Sequence, residues 1–245
     1  MKIEKKLWII LFAFGIFAIC FSGWIFRQST AREKLFWDNT IRCETKELKE
    51  GEIKSENIAL PEDFDVPKSI LFKTTHTIAE VWLDGEKIYE YGNEADAPGF
   101  MKTPGSCWHI VDIPGDSSGK NLEVRIIPVY EGYYGNEVSL VYGTRGDCIL
   151  KILTDCLGIL VISCGILFAA VICILLYCGA ARRKRSDKTE AKIEIFLNLG
   201  FFSLLVAVWT LVQCGFLQFL IPDGRTLYFV EYFSLFLIPV PFNFL

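Results

Sequence analysis

The residues in this sequence best suited to chemistry are aromatic, and the chemistry open to them is binding. One group closes the loop Glu94–His109, with Trp108 and His109 at its end. The other is Tyr130-Glu131-Gly132-Tyr133-Tyr134-Gly135-Asn136. Flat rings flanked by a few polar groups make platforms for sugars and small polar ligands. Loops carry such sites more often than strands do. Trp108, His109, Tyr130, Tyr133, Tyr134 and Asn136 are therefore the candidate ligand-binding residues. The competing reading is packing, because aromatic rings also supply the main apolar bulk of small β domains. On that reading His109 is a hydrogen-bonded structural residue rather than a ligand contact or pH-sensitive group.

Nothing in the chain ranks as a nucleophile with its base. A Gly-x-Ser-x-Gly elbow, a phosphate loop and a zinc-protease motif are all missing. The two histidines, His76 and His109, have no ligand cluster around them, and the nine cysteines form no Cys-x-x-Cys pair. No catalytic residue, metal or cofactor is expected from these patterns. Cys20, Cys156, Cys164, Cys173, Cys178 and Cys214 lie in apolar runs, where cysteine behaves as a small hydrophobe. Cys43, Cys107 and Cys148 remain, which allows one bridge at most. Glu231 is the one acid in an apolar run. Its closeness to Arg225 places it at a membrane interface rather than at membrane depth.

The candidate residues must be held by a β domain. Residues 27–155 carry 15 Lys+Arg and 23 Asp+Glu, a balance of −8. That acidity argues against nucleic acid and against anionic lipid as partners of this region. Ser69–His76 is rich in strand formers. Ala79, Val81 and Leu83 alternate with Glu80, Trp82 and Asp84, as do Leu122, Val124 and Ile126 with Glu123 and Arg125, the period of a half-buried strand. Asp84-Gly85 is a hairpin signal before a return strand at Lys87–Tyr91. Cys107–Ile113 and Val138–Tyr142 read as further strands, and a first short one falls near Asn39–Cys43. Several short strands with regular turn signals predict a β-sandwich or jelly roll.

Apolar runs surround this domain. Cys156–Ala181 has no charged residue and is long enough to cross a bilayer, for which about 20 residues suffice. Arg182, Arg183, Lys184 and Arg185 follow it and assign that end to the cytoplasm. Leu7–Phe26 is a second such run behind Lys2, Lys5 and Lys6. Its length favours an uncleaved anchor over a signal peptide. The expected order is a cytoplasmic N-terminus at 1–6, a membrane helix at 7–26 and the external β domain at 27–155. A helix at 156–181, a basic cytoplasmic loop at 182–194 and a helix at 195–222 follow. An external turn at 223–225 and a last helix at 226–245 complete it. That last run stops without a flanking charge, which suggests a piece of a longer protein.

The stretch AEVWLDGEKIYEYG at 79–92 resembles the central hairpin of galactose-binding-like jelly rolls. With the loop PGFMKTPGSCWHIVDIP, the strand ending VSLVYGT and the membrane helices behind it, the order resembles bacterial seven-transmembrane-type sensors. It is most similar to Firmicute proteins that end in a GGDEF diguanylate cyclase domain. The resemblance covers roughly residues 30–245, and no GGDEF motif occurs in them. It implies the sensor region of a multi-pass signalling protein in the cell membrane. In that picture an extracytoplasmic jelly roll senses a small molecule or carbohydrate, a homodimer is possible, and a cytoplasmic output domain is missing. A membrane-anchored carbohydrate- or envelope-binding module without output, or a histidine-kinase output, is the alternative.

Overall fold

In the computed structural model, residues 40–42, 54–60, 66–93, 100–130, 139–182 and 190–243 are described. The expected helix at 7–26, Tyr133, Tyr134, Asn136, Arg183, Lys184 and Arg185 lie outside them. The described residues form two compact units. One runs up to Leu153 and takes in Gln218–Tyr228; the other joins Thr154–Leu217 to the residues from Phe229 onward.

The first unit is an antiparallel two-sheet β-sandwich. Its strands are β1 (Thr40–Arg42), β2 (Lys54–Ala59), β3 (Lys68–Thr75), β4 (Thr77–Leu83), β5 (Glu86–Tyr91), β6 (Ser106–Ile113), β7 (Asn121–Pro128) and β8 (Ser139–Gly143). They are ordered β1-β8-β3-β6 in one sheet and β2-β7-β4-β5 in the other. The pairs β1·β8, β2·β7, β3·β6 and β4·β5 are thus nested, as if one long hairpin had been rolled up. The alternation in the sequence sets which side faces in. Ala79, Val81 and Leu83 of β4 and Leu122, Val124 and Ile126 of β7 are buried together with Ile70, Phe72, Val111, Ile113 and Leu140. Asp84 and Gly85 turn the β4–β5 hairpin with φ of 47° and 85°. Both values are positive, as a two-residue type I′ turn requires.

Outside the sheets, β4 and β7 carry a charged lattice around Trp82. Arg125 lies 4.4 Å from the Trp82 ring centroid. The indole N–H donates to Glu80 at 3.0 Å, and Arg125 pairs with Glu123 at 2.7 Å. These groups satisfy one another across the strands, as a solvated sheet face does.

One residue, Thr144, separates β8 from helix α1 (Arg145–Ala181). The charge-free run at 156–181 is therefore only the later part of a helix that begins eleven residues earlier. Two features set this start. Thr144 and Asp147 cap each other: the Asp147 N–H donates to Thr144 Oγ1 at 3.2 Å, and the Thr144 N–H donates to Asp147 Oδ2 at 3.0 Å. The first turns then rest on the sandwich, where the Cys148 thiol meets the Ser69 carbonyl and Cys148, Ile152 and Leu71 are buried. Their apolar residues face a sheet, so hydropathy alone gives no reason to begin the helix at Cys156.

The second unit holds the rest of α1 against α2 (Glu190–Gln213). The two helices meet along small residues seven apart. Cys156, Ser163 and Ala170 of α1 are buried, as are Gly200, Ala207 and Cys214 along α2 and its end. The pairing is antiparallel: the Cys156 thiol meets the Cys214 carbonyl, and the Ser163 and Thr210 hydroxyls lie 2.7 Å apart. Further along, a Cβ at Gly200 would sit 3.3 Å from the Ala170 carbonyl. Small residues at this spacing let helix backbones approach closely. Both helices are long and apolar enough to cross a membrane. Only 17% of each apolar window is buried, unlike the core helix of a soluble protein.

The expected span at 195–222 ends early. Gly215, at φ 76°, stops α2, and its N–H bonds back to the Val212 carbonyl at 3.1 Å. A 3-10 turn follows at Phe216–Phe219. The expected turn at 223–225 instead opens α3 (Gly224–Leu237), with Asp223 as its cap. The Asp223 carboxylate accepts from the Thr226 N–H at 3.1 Å, the Thr226 hydroxyl at 2.6 Å and the Arg225 N–H at 3.2 Å. The expected helix at 226–245 is broken as well: Pro239 and Pro241 begin a separate turn, α4 (Pro239–Phe242). Glu231 accepts from Gln213 at 2.9 Å, at the level where α2 ends.

Candidate functional site

The sequence candidates divide by strand parity. In β6, Cys107, His109, Val111 and Ile113 face inward, and Trp108, Ile110 and Asp112 face outward. His109 is 1% exposed. Its Nε2 lies 2.7 Å from Thr74 Oγ1 and its Nδ1 lies 2.9 Å from the Tyr89 hydroxyl. Its ring packs on Phe72 and Tyr91 at centroid distances of 4.8 and 4.9 Å. Burial lowers the His109 pKa to about 3, so the imidazole is neutral, with one ring nitrogen donating and the other accepting. Both nitrogens are occupied, and this histidine is part of the core. Tyr130 is 41% exposed and stands edge-on to His76 at 6.0 Å.

Trp108 lies on the outer side, and its partner comes from far along the chain. The Trp108 N–H donates to Gln218 Oε1 at 2.8 Å, and Gln218 Nε2 donates to the Trp108 carbonyl at 2.5 Å. β6 is an edge strand, with outward backbone groups that nothing in its own sheet can pair. The Gln218 amide takes the place of a peptide group on a missing neighbour strand. Lys73, the cross-strand partner of Trp108, holds its ammonium 5.4 Å from the indole centroid.

Gln218 begins the segment Gln218–Tyr228, which belongs to the sandwich unit although helices flank it on both sides. Four more contacts fasten it. Gly224 donates its N–H to the Tyr91 hydroxyl at 3.0 Å. That hydroxyl donates to the Pro104 carbonyl at 3.0 Å and lies 3.0 Å from Cys107 Sγ. Arg225 donates to the Asn93 carbonyl at 2.6 Å. Tyr228 meets the His76 ring edge-on at 4.9 Å. His76 itself sits at φ 54° on the one-residue corner between β3 and β4, with Nδ1 2.8 Å from Thr103 Oγ1.

Two glycines allow this approach. A Cβ on Gly224 would run into Cys107 Sγ, the Tyr91 hydroxyl and the Pro104 carbonyl, and one on Gly105 would run into the Gly224 carbonyl. Gly105 also holds φ 85°, which a residue with a Cβ seldom adopts.

The site carries no reactive group. Burial and the neighbouring Cys107 push the Tyr91 phenol far above its ordinary range, and burial lifts the Cys107 thiol too. A buried, protonated thiol is neither a nucleophile nor a metal ligand. Asp223 behaves differently. Desolvation alone would raise its pKa, but the bonds from Thr226 and Arg225 outweigh it and hold the carboxylate below its usual value. The arrangement is therefore a dock for a segment of the same chain, built from backbone approach, one side-chain amide and two aromatic rings.

No signal of local periodicity identifies this dock. The clues are Gly105 and Gly224 in otherwise unremarked loops and a lone Gln218 in an apolar stretch. No family model matches the chain, and neither a curated protein nor a solved structure matches it.

Proposed function

We propose that this chain is the sensory and membrane region of a multi-pass receptor. Its β-sandwich lies outside the cell and senses a ligand, with carbohydrate the leading class. The nested strand pairing supports the jelly-roll reading of the sandwich, a scaffold suited to small polar ligands in its loops. One observation carries the relay: the sandwich is tied to helices without slack. β8 enters α1 through Thr144 alone, and the segment between α2 and α3 is itself part of the sandwich unit. A ligand that favours one arrangement of the sandwich then biases the helices by its differential affinity for the two arrangements. The resemblance to Firmicute GGDEF proteins makes a cytoplasmic diguanylate cyclase the leading output, and Arg182–Arg185 mark the cytoplasmic end of α1.

The test uses the chain in lipid nanodiscs on an oligosaccharide array. Spin labels at exposed Leu175 and Ile195 then follow the α1–α2 distance with the bound oligosaccharide. The expected result is a distance change on binding that a Gly-Ser insertion within Asp147–Asp155 abolishes. Binding without any helix response would instead identify an anchored binding module.

A further inference from the structure

The face of α1 opposite the α2 seam carries a second pattern. Leu150, Leu153, Leu157, Cys164, Phe168, Val171, Leu175 and Cys178 follow one another at steps of three, four or seven. At 3.6 residues per turn they form one narrow stripe. All are exposed, Leu150 at 56% and Leu175 at 63%.

Lipid covers only part of this stripe. Leu150 and Cys178 are roughly 42 Å apart at 1.5 Å per residue, whereas the hydrocarbon core is about 30 Å thick. Arg182 fixes one end of the crossing close to Cys178, so the surplus falls at Leu150 and Leu153, in the turns that rest on the sandwich. Exposed leucines in water at heptad spacing are the mark of a helix–helix seam. A bilayer also forces every copy of α1 to point the same way, which suits a two-fold pair in which the same stripe serves both partners.

We infer that α1 is a parallel dimerisation helix whose occupant is a second copy of this chain. Its seam runs from Leu150 through Leu157 outside the membrane and on to Cys178 within it. The two-fold axis brings the two Cys164 side chains face to face, and likewise the two Cys178 side chains. The inference rests on the part of the proposed function that places α1 across the bilayer.

The test is oxidative crosslinking of the full chain in phosphatidylcholine vesicles with copper phenanthroline, after flotation to show insertion. A disulfide-linked dimer is expected. It should disappear in the Cys164→Ala/Cys178→Ala variant and return when Leu153→Cys is added to that background. Ile159→Cys, exposed but off the stripe, should crosslink at least tenfold more slowly. A chain that fails to float overturns both the crossing and the pair. One that floats but gives no dimer, or that crosslinks equally at Ile159→Cys, overturns the pair and leaves the crossing standing.

Discussion

At the scale of single residues, the sandwich uses polar groups inside its core and glycines at its dock. His109 shows the first. The folded chain keeps it neutral, with its pKa lowered to about 3. The unfolded chain protonates it below the ordinary value of about 6.5. Between those limits the unfolded state binds more protons, so stability is complete above pH 6.5 and falls as pH drops, by up to about 1.4 kcal/mol per pH unit. Urea midpoints of the full chain in nanodiscs should show this slope, and His109→Gln should flatten it; an unchanged slope would show that His109 is not its source. Tyr89 acts at the other extreme. Burial raises its pKa to about 12, so stability should decline as pH rises past 10, where the unfolded phenol ionises first. Gly224 shows the second use. Gly224→Ala forces a Cβ into Cys107, Tyr91 and Pro104. Overpacking of this kind costs about 1–3 kcal/mol. The cost falls on a segment held by a few hydrogen bonds, so Gln218–Tyr228 should undock while the sandwich core stays folded. Hydrogen exchange should quicken in 218–228 alone; equal exchange in both proteins would mean the glycine contact does not matter.

Among the elements, strands were legible and helix ends were not. Alternation placed β4 and β7 and the Asp84-Gly85 turn, because one face of each strand is buried and the other wet. The same period applied to β6 puts His109 on the side of Val111 and Ile113, away from ligand. Hydropathy misplaced both ends of the helical region for one reason: a residue buried against a sheet and a residue in lipid are equally apolar. It therefore began α1 at Cys156 rather than Arg145, and it ran α2 through Cys214–Pro222. The capping pairs Thr144/Asp147 and Asp223/Thr226 mark the true starts of α1 and α3 and are written in the sequence. The α1–α2 seam is legible too, as Cys156, Ser163, Ala170 and Gly200, Ala207, Cys214. Ala207→Leu should force the helices apart at that seam. Buried Cys156 and Cys214 should then react with N-ethylmaleimide several-fold faster; an unchanged rate would place the contact elsewhere.

For the whole molecule, two long-range facts were invisible in the sequence. Gln218 reaches back 110 residues to Trp108, and Gly224 meets Tyr91 across 133. Neither leaves a local period, because a dock made of one amide and two glycines has no pattern to repeat. These contacts give the account its central claim: the sandwich is held to the helices through the dock as well as through α1, so its state reaches them by more than one covalent path. The most direct measurement is the distance between spin labels at Leu175 and Ile195 in nanodiscs, comparing the wild-type chain with Gly224→Ala. Undocking 218–228 should shift or broaden that distance distribution although no residue near either label has changed. Superimposable distributions, with 218–228 shown by hydrogen exchange to be released, would contradict the claim.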